Sequence, residues 1–171
     1  MTDPEFREAY GQHKDMLYRF AWRMTGSAAT AEDLVQDCFV ILLRNKAILN
    51  RDRGTLRSLL IGITRNVARK HLRSERSHDE LDELNIASAT SRPIDTDDRE
   101  RSETIARVVA ALPPLQREVL ILAEYEELSL EEIARAVGAE LAAVKSRARE
   151  NLRRVLAPLL EMKGAAHGNR E

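Results

Sequence analysis

The chain has 171 residues, with 27 Lys and Arg against 28 Asp and Glu for a net charge of −1, and its 32% charged and 4% aromatic residues suit helices with solvated faces in one ordinary or two small domains. No stretch approaches the roughly 18 uninterrupted apolar residues of a membrane span, and the opening MTDPEFREAY is no secretory signal, so the expectation is a soluble, cytoplasmic chain without membrane insertion. A single cysteine, Cys38, excludes an internal disulfide and reads as a core residue, and four scattered histidines offer no metal-ligand spacing, so neither metal nor cofactor is expected.

The periodicity predicts an all-α chain. A first helix runs from about Pro4 to Met24, with Tyr10, Leu17, Ala21 and Met24 on one face. Gly26 and Ser27 break it, and Thr30 is placed to cap a second helix, Ala31 to Arg44. That helix turns Ala31, Leu34, Val35, Cys38 and Leu42 inward and sets Asp33, Gln36 and Asp37 together on its outer face. Asn45 to Gly54 lacks a sustained period and reads as a loop. A third helix, about Thr55 to Ser77, carries Leu56, Leu60, Ile63 and Val67 on one stripe and Arg65, Arg69, Arg73 and Arg76 nearly opposite.

Residues 78 to 102 have no long apolar period, carry Pro93, and read as a flexible acidic linker. A second helical domain starts near Glu103, where Ile105, Val108, Val109 and Leu112 share a face; Pro113 and Pro114 end that helix and Pro114 opens the next, Leu115 to Tyr125. Leu128 to Leu156 then reads as a helix, a tight turn and a basic helix, the pattern of a helix-turn-helix. Ser129 and Glu132 form a capping box, and Gly138 supplies the left-handed turn. In the last helix Leu141, Val144, Ala148, Leu152 and Val155 make an inward stripe, while five Lys or Arg against two Glu between Glu140 and Arg154 leave the outer face basic. Pro158 is expected to close this helix and the tail to fray. The domain limits are thus 1–77, a linker 78–102, 103–160 and a tail 161–171.

The near-neutral net charge hides two opposed blocks. Residues 51–76 hold eight Lys or Arg against two acids, and residues 79–103 hold nine acids against three Arg. Like charges four apart on a helix repel by some tenths of a kcal/mol, and a phosphate backbone along the face would relieve the repulsion. Two other readings stand beside nucleic-acid binding at this point. An ordinary helix-turn-helix regulator with an N-terminal sensor would usually dimerise on a palindrome. An enzyme would need a phosphate loop, a metal-ligand spacing or a nucleophile with its base, and the sequence shows none of these.

The order of the segments AEDLVQDCFVILLR (31–44), ITRNVARKHLR (63–73), LPPLQREVLIL (112–122) and LSLEEIARAVG with AVKSR (128–138, 143–147) resembles the extracytoplasmic function sigma factors of bacterial RNA polymerase, over nearly the whole chain. The resemblance implies sigma region two, a linker, and sigma region four. It implies that Asp33, Gln36 and Asp37 dock on the clamp helices of the largest polymerase subunit. It implies that Asn45, Asn50, Arg51, Arg53, Arg65, Asn66, Arg69 and Arg73 meet the melted −10 strand, and that Glu140, Ala143, Lys145, Ser146, Arg147 and Arg149 read the −35 duplex. The earlier helices of region four would hold the flap of the second-largest subunit, an anti-sigma factor would control the chain, and the free protein would be a monomer and not an enzyme. The sequence departs from the family pattern at Leu56 and Leu59, where aromatics are usual, at Lys70, where Asp is usual, and at Glu140 and Ala143, where Ser and Thr are frequent. Leucine cannot stack on an unpaired base as an aromatic ring does.

Overall fold

The computed structural model describes residues 1–45, 55–76 and 96–167, and every regular element among them is helical. The order is α1 Asp3–Thr25, α2 Ala28–Arg44, α3 Leu56–Arg76, α4 Thr96–Ala111, α5 Pro114–Leu120 running on into a π-helical stretch Ile121–Tyr125, α6 Leu130–Val137 and α7 Leu141–His167. Asn50, Arg51 and Arg53, and the greater part of the expected linker, lie outside the described residues.

The helix ends follow local chemistry. The Thr2 amide donates to Glu5 Oε2 at 2.7 Å and starts α1 with a capping box that sequence reading missed. The cap of α2 is Ser27, whose Oγ accepts from the Thr30 amide at 3.2 Å; the expected cap, Thr30, lies inside the first turn. At α6 the Ser129–Glu132 box forms as expected, with the Ser129 amide donating to Glu132 Oε2 at 2.8 Å and holding that carboxyl below its usual range. Gly138 closes α6 in the left-handed region, at φ 63°.

Four other expectations are corrected. α4 begins at Thr96, so part of the expected linker is helical; Arg99 and Glu103 pair one turn apart at 3.1 Å, a support invisible to an apolar period. Pro158 lies inside α7, which continues to His167. The ring removes one hydrogen bond, and the carbonyl it leaves free belongs to Arg154 on an exposed turn, where water can satisfy it. Leu152, expected inward, is 60% exposed, and Tyr10, expected on the face that Leu17, Ala21 and Met24 bury, is 40% exposed.

The first three helices pack around Leu17, Phe20 and Met24 of α1, Val35, Cys38 and Leu42 of α2, and Leu60 and Ile61 of α3. Ala21, Ala31, Leu34 and Ala68 form a second, smaller apolar cluster between the same three helices. Cys38 Sγ donates to the Leu60 carbonyl at 3.5 Å, and burial pushes its thiol up to about 11, as suits a core residue. The later helices bury Val119, Ile121, Leu122, Ile133, Val137 and Val144, and these belong to the same cluster as the N-terminal core. The two units therefore do not stand apart, as a long linker suggested; they share one apolar interior. The contact rests on Gly62, since a Cβ there would lie 2.8 Å from the Ala136 carbonyl oxygen. A side chain on α3 at that point would hold α6 away.

Candidate nucleic-acid and polymerase interface

Two charged contacts flank this packing. Arg65 of α3 meets Glu118 of α5 in a bidentate pair, Nε to Oε2 at 2.7 Å and Nη2 to Oε1 at 3.0 Å, with side chains only 10% and 0% exposed. Glu118 sits between Leu115 and Leu122 at helical spacing, on what would otherwise be an apolar stripe. That misplaced carboxylate was the available sequence signal for an inter-unit partner, and the sequence reading passed over it. Burying two charges costs several kcal/mol each, which only close bidentate geometry offsets.

The second contact is wetter. Glu126, almost buried, takes Arg19 at 3.1 Å and Arg23 at 3.7 Å, and its backbone carbonyl accepts from Arg57 Nη2 at 2.9 Å. Arg23 also lies 4.1 Å above the Tyr125 ring. Arg117 Nη1 donates to the Met24 carbonyl at 2.7 Å. Sequence reading assigned no role to these arginines, because one helix face read alone cannot tell a solvated charge from one awaiting a distant partner.

The expected site residues separate accordingly. Asp33, Gln36 and Asp37 are all exposed on one face of α2, beside the exposed Val40. Asn45 caps the C-terminus of α2, its amide donating to the Ile41 carbonyl at 3.0 Å, and is exposed. On α3, Arg73 and Asn66 are exposed, Arg69 is half-buried, and Arg65 is withdrawn into the pair with Glu118, its Nη1 also reaching Asn66 Oδ1 at 3.3 Å. Arg65 was expected on an open basic stripe; in this arrangement it faces the second unit. Leu56 and Leu59 are half-buried against the core.

On α7, Glu140, Lys145, Ser146 and Arg149 are exposed, and Ala143 and Arg147 are half-buried. Glu150 pairs with Arg154 at 3.1 Å and with Arg153 at 3.8 Å, so this one acid is shared between two cations in the middle of α7, and Lys145, Arg147 and Arg149 precede it. The basic excess thus gathers on the second and third turns of α7, soon after the Gly138 turn. Such a helix end can enter a major groove, with guanidinium forks set for base edges or phosphates. Among the described residues no group of three or more His, Cys, Asp or Glu could hold a metal, and no helix is long and apolar enough to cross a membrane.

Residues 9–78 match the family model of sigma-70 region 2, and residues 102–154 match that of sigma-70 region 4. The chain is 32% identical over 163 residues to the ECF RNA polymerase sigma factor SigE of Mycolicibacterium smegmatis, covering 90% of this chain and 62% of that protein. It is 30% identical over 152 residues to the ECF sigma factor BldN of Streptomyces coelicolor, covering 82% and 55%. SigL of Mycobacterium tuberculosis is 27% identical over 158 residues, and there the match covers 91% of this chain and 89% of the relative. The chain thus spans only part of the first two relatives, about three-fifths of one and somewhat over half of the other. In fold it resembles the sigma factor RpoE of Bartonella quintana, solved with the anti-sigma factor NepR, at TM-score 0.70 and 22% identity over 88% of this chain and 94% of that one. It also resembles CnrH, solved with the cytosolic domain of CnrY, at TM-score 0.69 and 22% identity, over 92% and 89%. Matched by both region models in order and by relatives along most of its length, the chain belongs to the extracytoplasmic function sigma factors of the sigma-70 family.

Proposed function

We propose that this chain binds core RNA polymerase and directs it to promoters, with domain limits near 1–77 and 103–160. The observation that carries the reading is the division of surfaces. An exposed acidic face on α2, a basic face on α3 and the basic start of α7 are three separate surfaces, and an initiation factor needs three. In this reading Asp33, Gln36 and Asp37 dock on the clamp helices of the largest polymerase subunit, and the helices before α6 meet the flap of the second-largest. Asn45, Asn50, Arg51, Arg53, Arg65, Asn66, Arg69 and Arg73 take the −10 strand. Glu140, Ala143, Lys145, Ser146, Arg147 and Arg149 take the −35 duplex.

The chain supplies binding and the polymerase supplies the chemistry. With Leu56 and Leu59 half-buried, capture of an unpaired strand falls to guanidinium groups and to the segment between α2 and α3. The closed arrangement cannot serve both elements together. DNA sites two helical turns apart are separated by roughly 70 Å, whereas here the units touch and Glu118 occupies Arg65. Opening of the seam is therefore part of the activity. An acidic partner that keeps the seam shut would act as an anti-sigma factor.

The test is transcription by purified core polymerase with this protein on a pooled promoter library. Enrichment of one paired −10 and −35 sequence is expected. No transcript above core alone would overturn the proposal.

A further inference from the structure

The second unit carries an apolar cleft of its own. It is open, holds about 660 Å³, and is walled by Ile105 and Val109 of α4, Leu120 of α5, Leu130 of α6, and Leu152 and Val155 of α7. Clefts of roughly 300 to 1,000 Å³ with apolar walls and a few polar groups suit small molecules. Two residues of the lining, Tyr125 and Leu152, are 43% and 60% exposed, so apolar surface here faces water beside a polar rim, as at a binding site. The charge of the lining is uneven. Lys145 and Arg149 lie one turn apart on α7, both exposed, and Leu152 and Val155 follow them along the same wall. Glu150, the acid next to Arg149 in the chain, is taken up by Arg153 and Arg154, and the lining holds one acid, Glu124, against the two cations. From Lys145 to Val155 the helix rises about 15 Å, close to the length of an extended chain of about twelve carbons. A protein helix laid in this cleft would place its flanking charges along its whole length. On the α7 wall the cations stand together, ahead of the apolar residues, which matches a single chain with one anionic head.

We propose that this cleft binds a free single-chain anionic amphiphile of the fatty-acid type, its carboxylate held by Lys145 and Arg149 and its chain lying against Leu152, Val155 and the α4 wall at Ile105 and Val109. The same two cations are assigned above to the −35 duplex, so an occupied cleft competes with DNA. That consequence rests on the promoter reading, whereas the site itself does not.

The experiment is calorimetric titration of the full chain with sodium dodecanoate, below its micellar concentration and at constant ionic strength. One saturable site is expected. Sodium octanoate, with four fewer carbons to bury, should bind at least about tenfold more weakly. Lys145→Gln combined with Arg149→Gln should weaken dodecanoate about tenfold and leave dodecan-1-ol, which has no charge, within about twofold. Arg154→Gln, the loss of one cation on the same helix outside the cleft, should leave dodecanoate within about twofold. Leu152→Glu sets a like charge beside the chain and should abolish binding. Leu152→Ala, which removes apolar wall at an exposed position, should weaken it severalfold with helical circular dichroism unchanged, so the test does not hang on one variant. No saturable binding of dodecanoate overturns the proposal, as does equal loss in Arg154→Gln or equal affinity for dodecanoate and dodecan-1-ol in the parent chain. Binding to anionic phospholipid vesicles but not to dodecanoate monomers would assign the cleft to a membrane surface. Tighter binding of an acidic amphipathic leucine–glutamate peptide would assign it to a partner helix, and a dimer in sedimentation that Leu152→Glu dissolves would assign it to a second copy; each of these overturns the proposal. Because neither polymerase nor promoter is present, failure here leaves the sigma reading untouched, and failure of the transcription test leaves this site standing.

Discussion

Two basic helices, α3 and α7, look alike in sequence and fare differently in the structure. Each has an apolar stripe and several arginines away from it, and each was read as a nucleic-acid face. On α7 Lys145 and Arg149 stay exposed and Arg147 half-buried, with Glu150 pairing only with Arg153 and Arg154 further along. On α3 the second unit packs against the same helix, and Arg65 is taken into a buried pair with Glu118. The lesson is that a charged stripe marks a functional surface only as far as no other part of the chain is shaped to cover it. Here the covering partner announced itself through a single acid in an apolar run.

The comparison breaks most sharply at Glu118. Glu118→Leu leaves Arg65 buried without a counter-charge, which should cost the closed arrangement about 3–5 kcal/mol. The chain escapes that cost by opening, so small-angle scattering should show a larger radius of gyration while helical circular dichroism is kept. An unchanged radius would mean that apolar packing alone sets closure.

A smaller effect is expected at Gly62. Gly62→Ala sets a Cβ 2.8 Å from a backbone oxygen that cannot swing aside, and about 1–3 kcal/mol of closure should be lost. Hydrogen exchange should report it as faster exchange in α6, with α2 unaffected. Comparable losses are expected on the open helix for a different reason. Arg147→Ala and Arg149→Ala should each weaken −35 duplex binding by roughly 1–3 kcal/mol where they reach bases, or flatten its salt dependence by about one where they reach phosphate.

The wet side of the seam should matter least. Arg19 is half-exposed and Glu126 keeps Arg23, so Arg19→Ala should cost no more than about 1 kcal/mol by thermal melting. Cys38 sharpens the contrast between core and seam. With its thiol pushed up to about 11 by burial, it should resist alkylation near neutral pH in the folded chain and react only on unfolding. Because the folded form favours the neutral thiol, its contribution to stability is complete below the ordinary thiol range and is lost as pH rises toward 11.

Much of this was legible in the residues. Helical spacing located the helices, the Ser129–Glu132 box and Gly138 set the turn before α7, and the outer face of α2 could be read from Asp33, Gln36 and Asp37 against Leu34 and Val35. What escaped depends on distant partners. No local pattern says that Gly62 faces Ala136, or that Arg57 reaches the Glu126 carbonyl. The start of α4 escaped because charge pairs, not apolar spacing, support it, and the run of α7 through Pro158 because an exposed helix tolerates one lost hydrogen bond.

The central claim is that a closed chain with Arg65 held by Glu118 opens to work with polymerase. The most direct measurement is the distance between α2 and α6, followed by energy transfer between labels at Glu32→Cys and Glu131→Cys in a Cys38→Ala background. It should be taken on the free chain and again in a transcribing complex with core polymerase and promoter DNA. A short distance is expected in the free chain, rising in the complex toward the roughly 70 Å that separates DNA sites two helical turns apart. A transcribing complex in which the distance stays at its free value would contradict it.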